Sequence, residues 1–233
     1  MKKNETSRGT GVPPVNVSEG NHEAITIQKR RGAYLPHWMR DQATYAVTFR
    51  LFDSLPKPVL EGFIEERSEI VKIAERMKRE LTKHERKRLH ELHSEKIEKY
   101  LHAGHGECWL KNPEIAKLAL NAFRHFDGTR YRLICTCIMP HHVHVIVSPF
   151  SGFELQDIVQ SWKSFTSKEA NKILGRAGQF WQPEYYDHLV RGENDLAHAI
   201  EYVWYNPEKA GLIGWKWRWR QERGHGQDAR ATL

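Results

Sequence analysis

Apolar residues recur along this chain with two different periods, and each change of period marks an element. Residues 44–51 alternate apolar and polar side chains (Thr-Tyr-Ala-Val-Thr-Phe-Arg-Leu) and predict a strand. From 57 to about 101 the spacing lengthens to threes and fours, with Ile64, Ile70, Ile73, Ala74, Met77 and Leu81 in one run and Leu89, Leu92, Ile97 and Leu101 in the next. Thr82-Lys-His-Glu85 between the runs fits a capping box, so the stretch reads as a charged helical hairpin. Asn112 as cap and Pro113 at the first helical position open a helix carrying Ile115, Leu118, Ala119 and Phe123, which ends near Asp127-Gly128. Two β-branched runs, 130–138 and 142–148, flank Met139-Pro140-His141 and predict a tight hairpin. Residues 155–174 predict a helix with Ile158, Trp162, Phe165 and Ile173 inward, and residues 185–190 a fourth strand. Asn194 or Asp195 caps a last helix, with Leu196, Ala199, Ile200 and Val203 as its core stripe, that Pro207 halts.

The order β, helical insert, α, β, β, α, β, α predicts an α+β fold: a ferredoxin-like four-stranded antiparallel sheet with helices, plus a helical-hairpin insertion at about 57–105. Residues 1–33 are poor in aliphatics and end near the pair Arg30-Arg31, so a disordered basic tail is expected there. A single domain over 34–221 and a second tail at 222–233 complete the expected organisation. When residues 8–15 are paired with residues 232–225 in reverse order, reverse-complementary codons exist at every position except Pro13 with Gln227. The tails therefore read, as a hypothesis, as translated inverted repeats. A gene sequence whose codons fail to complement removes it.

Charge changes the picture next. Thirty-six Lys and Arg against 29 Asp and Glu give a net charge of +7, and 8 Trp and 8 Tyr accompany it. Cations interleaved with flat rings suit single-stranded nucleic acid, by phosphate neutralisation and base stacking. Arg30, Arg31, Lys163 and Lys168 are the expected phosphate contacts. Trp215-Lys-Trp-Arg-Trp-Arg220 alternates ring and cation, so Trp215, Trp217 and Arg218 either form a stacking strip or dock as a closing segment. Three Cys cannot build a disulfide framework, and no apolar run approaches a membrane span, so a cytoplasmic protein is expected. His102, His105 and Cys108 offer zinc only three loosely spaced ligands, while Cys135 and Cys137 read as small buried residues.

The chemistry concentrates in two places. His142 and His144 share one face of a strand and can hold one divalent metal if a third ligand arrives from elsewhere. Tyr202 and Asn206 stand four apart on the last helix, with His198 a turn before them, so that helix offers a phenol and a carboxamide together. An oxygen from Asn206 would complete a site suited to Mg²⁺ or Mn²⁺, with Tyr202 placed to attack a phosphodiester. Half-exposed histidines at a strand start, and a helix that merely ends in Tyr and Asn, account for the same residues without chemistry.

Met139-Pro-His-His-Val-His144 resembles the HUH motif, histidine, bulky hydrophobe, histidine, of the single-tyrosine transposases. The stretches Phe180-Trp-Gln-Pro-Glu-Tyr-Tyr-Asp-His188 and Ile200-Glu-Tyr-Val-Trp-Tyr-Asn-Pro-Glu-Lys-Ala-Gly-Leu212 resemble the REP-associated tyrosine transposases in particular. The resemblance covers roughly residues 34–219 and implies a metal-dependent single-strand DNA endonuclease and transesterase, cleaving and rejoining DNA beside palindromic hairpin repeats. It implies His142, His144 and Asn206 as metal ligands and Tyr202 as the nucleophile forming a 5′-phosphotyrosine, in a monomer or homodimer. Tyr185 and Tyr186 are rival nucleophiles, with no ligand-type residue four positions on along a helix. His141 stands where such proteins commonly have Asn, and the charged hairpin exceeds what a minimal member needs. The alternative is a catalytically inactive hairpin-DNA-binding protein derived from such an enzyme.

Overall fold

The structure is a computed structural model that describes residues 28–31, 36–39, 43–79, 81–91 and 106–222. Its centre is an antiparallel sheet built from β3 (Tyr45–Arg50), β4 (Tyr131–Ile138), β5 (His142–Pro149), β6 (Tyr186–Leu189) and β7 (Arg218–Arg220), in the order β6-β3-β5-β4-β7. Helices α3 (Pro113–Arg124) and α4 (Leu155–Ile173) connect β3 to β4 and β5 to β6. Without β7 this is the strand order of a ferredoxin-like β-α-β-β-α-β unit, as the element order predicts.

The fifth strand corrects the expected four. Cys135, Thr136 and Cys137 pair with Arg220, Trp219 and Arg218, and the Trp215 indole N–H donates to the Ile138 carbonyl at 2.6 Å. The Trp-Lys-Trp-Arg-Trp-Arg alternation has the period of a strand, and its pairing covers a ladder that β4 would otherwise present to solvent. Trp217 and Trp219 pack against the main core and Trp215 against the opposite face, so this stretch closes the domain.

The sheet is covered on both sides. Tyr45, Val47 and Phe49 of β3 and Val143, Val145 and Val147 of β5 face α3 and α4. Asn112 caps α3 through its side chain, which accepts from the Glu114 N–H at 2.9 Å. The other face carries Cys135, Cys137, Met139 and Ile146 beneath α5 (Glu193–Trp204), which contributes buried Val203 and, partly buried, Leu196, Ala199, Ile200 and Tyr202. A bulge in β4 sets this division: the register shifts between Leu133 and Cys135, so Ile134 and Cys135 both turn away from the main core.

On α4 the inward stripe differs from expectation. Ile158 and Trp162 face the core, but Phe165 and Ile173 are exposed, and Val159, Lys163, Thr166 and Ala170 are buried in their place. Lys163, expected at a phosphate, donates to the Gln182 and Pro183 carbonyls at 2.6 Å each and holds the segment leading into β6. Lys168 is exposed.

The insertion begins with α1 (Lys57–Arg76) and α2 (Lys83–Glu91). Its own small core joins Leu55, Phe63, Ile70, Ala74 and Leu81, while Ile73 and Met77 face outward. The capping box forms: the Glu85 N–H donates to Thr82 Oγ1 and the Thr82 N–H to Glu85 Oε2 at 2.8 Å. The rest of the hairpin, with His102 and His105, lies outside the described residues, as do both stretches read as inverted repeats. A separate ribbon pairs β1 (Gln28–Arg31) with β2 (Pro36–Met39), so Arg30 and Arg31 lie in a strand where a disordered tail was expected. Among the described residues no helix is long and apolar enough to cross a membrane.

Desolvation lowers the Lys163 ammonium to about 8, partly opposed by Glu184. A lysine depressed in the folded state binds fewer protons there than in the unfolded chain, so stability rises with pH from about 8 toward the ordinary lysine value near 10.5, by at most about 3 kcal/mol. Denaturant melts of Lys163→Met across that range are expected to lose this rise; a variant that keeps it places the titration elsewhere.

Candidate active site on the sheet face under the last helix

Strand register dictates which side chains meet. β3 and β5 pair with Thr48 opposite His144 and Arg50 opposite His142, and residues directly opposite share a face. Thr48 Oγ1 lies 2.8 Å from His144 Nδ1, His144 Nε2 lies 2.9 Å from His142 Nε2, and His142 Nδ1 lies 2.8 Å from His141 Nδ1. All three histidines are buried rather than half-exposed. His141 and His142 stack with ring centroids 4.9 Å apart.

One proton assignment of this chain of contacts would open a place for a cation. If His144 Nδ1–H donates to Thr48 and His142 Nδ1–H donates to His141, both Nε2 atoms present lone pairs to each other. Two lone pairs meeting at 2.9 Å need a proton or a cation between them. Thr48 and His141 would be the groups that fix ring orientation and tautomer.

The last helix brings its side chains to the same face. The Tyr202 ring meets the His144 ring edge-on, with centroids 5.5 Å apart, and Lys209 Nζ lies 5.0 Å from the Tyr202 ring centroid. The helix is interrupted earlier than Pro207: Tyr205 leaves helical geometry, and Asn206 opens a short further turn, α6 (Asn206–Lys209). Asn206 is 1 % exposed, and its Oδ1 is buried without a hydrogen-bond partner. An orphaned buried carbonyl oxygen costs stability unless a ligand meets it. Two imidazole nitrogens and an amide oxygen are a donor set that fits a divalent cation with positions left open. Among the described residues no cluster of three His, Cys, Asp or Glu offers a rival metal site.

The remaining candidates are placed differently. Burial pushes the Tyr185 hydroxyl far up, and it pushes that of Tyr186 up to about 12 against the nearby Arg67 charge; neither phenolate forms readily. His198 is exposed on α5. Arg218 donates to the Trp204 carbonyl at 2.6 Å and to Glu208 at 2.9 Å while stacking on Trp204, so it ties β7 to α5 and α6. Trp215 and Trp217 are half-buried. Sequence reading missed Thr48, His141 and Lys209. Alternation along β3 could have marked Thr48 as facing away from the main core, but its partner histidine depends on register.

Residues 114–206 match the family model described as "Transposase IS200 like". This segment is similar to the IS200-like transposases. The match spans nearly all of α3, then β4, β5, α4, β6 and α5, and ends on Asn206. The chain is also similar to the REP-associated tyrosine transposase of Escherichia coli strain K12, at 28% identity over 76 residues, covering 33% of this chain and 44% of that protein. A protein of Haemophilus influenzae, provisionally given the same name, is 26% identical over 93 residues, covering 36% of this chain and 53% of its own length. The chain thus spans about half the length of the curated relatives it matches. A solved REP-associated tyrosine transposase, bound to a REP hairpin, aligns over 80% of this chain and 76% of its own at 14% identity and a TM-score of 0.41.

Docking of α5 over Cys135 and Cys137 is directly measurable. Desolvation raises both thiols, that of Cys135 to about 12, and both side chains are fully buried. Ellman's reagent at pH 8 is expected to leave them unmodified in the native protein and to react at once in guanidinium. Val203→Ala, which thins the contact above them, is expected to speed native-state modification; rapid reaction of the unaltered protein would mean that α5 is not seated.

Proposed function

We propose that this chain is a metal-dependent single-strand DNA endonuclease and strand transferase, cleaving and rejoining DNA beside palindromic hairpin repeats. The observation that carries the reading is the Tyr202 phenol standing against His144, whose Nε2 faces that of His142 with no side chain between them. The family match adds a DNA-transposition context, and the names of the relatives add the hairpin repeats.

His142, His144 and Asn206 would hold Mg²⁺ or Mn²⁺, which when bound withdraws charge from a phosphate oxygen. The chain's own residues do the rest. The Tyr202 phenolic oxygen attacks phosphorus, the bond from phosphorus to the 3′ oxygen breaks, and the 5′ phosphate stays on the tyrosine. The phenol's proton balances the 3′-hydroxyl that leaves. Lys209, over the Tyr202 ring, favours the developing phenolate charge. Thr48 and His141 keep the two imidazoles from rotating away. The same bond, reversed with a different 3′-hydroxyl, joins strands without an external energy source.

Incubating full-length protein with a labelled single-stranded hairpin oligonucleotide and Mn²⁺ should give a covalent adduct that survives denaturing electrophoresis. Tyr202→Phe is expected to abolish the adduct and leave hairpin affinity within about twofold, since the ring contact with His144 remains. Thr48→Val should weaken Mn²⁺ binding by about 10- to 100-fold in calorimetry. Hairpin binding with no adduct in any metal would instead indicate a binding protein descended from such an enzyme.

A further inference from the structure

On the same sheet face, one step from the histidines, stand two arginines that nothing above uses. Arg50 ends β3 directly opposite His142. Arg67 comes from α1 of the insertion, and its guanidinium lies 5.9 Å from the ring centroid of Tyr186, which pairs with Thr48 on the next strand. The two rows across the sheet therefore read Arg50 beside His142, and Tyr186, Thr48 and His144 side by side, with Arg67 above Tyr186.

Both arginines are held at a cost. The Nε of each is buried and meets no hydrogen-bond acceptor among the described residues. Desolvation lowers each to about 10, and the Arg67 charge lowers Arg50 further. Glu184, Asp187 and Tyr186 face Arg67 and offset part of its cost, while Lys163, on the core side of the sheet, is near enough to Arg50 for the two charges to oppose each other. A guanidinium is rarely desolvated beside another unless an anion completes the set, and its fork matches phosphate oxygens in pairs. Simple structural pairing would have brought an acceptor to each Nε.

We propose that Arg50 and Arg67 form a phosphate clamp that holds a backbone phosphate of the strand being cut, next to the scissile one, and that α1 is inserted into the fold to deliver Arg67 to it. The proposal rests on the DNA-processing reading above, but the clamp acts in binding and needs neither metal nor cleavage. A phosphate seated at this corner lies beside His142, while Tyr202 stands beside His144, so the strand would run across the sheet from β3 toward β4. Such a clamp fixes where the scissile bond falls relative to the nucleophile.

The test uses full-length protein in EDTA with a short unstructured oligothymidylate, followed by fluorescence anisotropy from about 50 to 300 mM salt. Each phosphate contact to single-stranded DNA contributes about 0.7 to the slope of log affinity against log salt. Arg50→Gln and Arg67→Gln should each reduce the slope by about that amount, weaken binding several-fold at low salt, and leave the melting temperature unchanged or raised. Folded variants with the wild-type slope would overturn the clamp. If neither variant folds, the wild-type protein decides: inorganic phosphate at matched ionic strength should raise its melting temperature relative to chloride, and no rise would overturn it equally. An arginine-dependent slope in a protein that never forms an adduct with Mn²⁺ keeps the clamp and removes the enzymatic reading. Adducts together with unaltered slopes do the reverse.

Discussion

Everything at this site hangs on the ladder between β3 and β5. Antiparallel pairing puts Thr48 across from His144 and Arg50 across from His142, and a slip of one residue in either strand would send its two residues to the face opposite their partners. That register is held from beneath. Val47, Phe49, Val143 and Val145 are all fully buried on the core face, so any slip would exchange them for Thr, His and Arg. The hydrophobic core thus specifies the polar face without touching it. Burial of the three histidines follows, and with it the requirement that their nitrogens find partners, as His144 does in Thr48 and in His142.

The order of elements was legible because each carries a strong local period. β3, the β4–β5 hairpin, α3 with its Asn112 cap and the Thr82–Glu85 capping box were all readable from residues next to one another in the chain. The histidine pair was readable for the same reason, since a strand's alternation needs no tertiary information. What could not be read depends on distance along the chain. Thr48 and His144 are 96 residues apart, and no local pattern states that they are opposite. Phe165 and Lys163 show the other limit: apolar spacing nominated Phe165 for the interior, but two backbone carbonyls at 182 and 183 draw the lysine inward.

The tryptophan-rich segment divides the same way. Its alternation of rings and cations is compatible with a surface that stacks bases and with a strand that packs indoles. The ladder to β4 and the Trp215 bond to Ile138 decide for the strand. Arg218 and Arg220 then both lie 4.4 Å from the Trp204 ring centroid, which fastens the closing strand to the helix that bears Tyr202.

That closing strand also governs how two such molecules could associate. With Arg218–Arg220 laid along Cys135–Cys137, the margin of the sheet at β4 is already occupied by β7. A second copy cannot pair its strand with β4 directly, because β7 is now the margin of the sheet. Any twofold pairing that keeps this strand in place must be made through side chains and helices or along the outer edges at β7 and β6, and the three-residue β7 offers only a short ladder for that purpose.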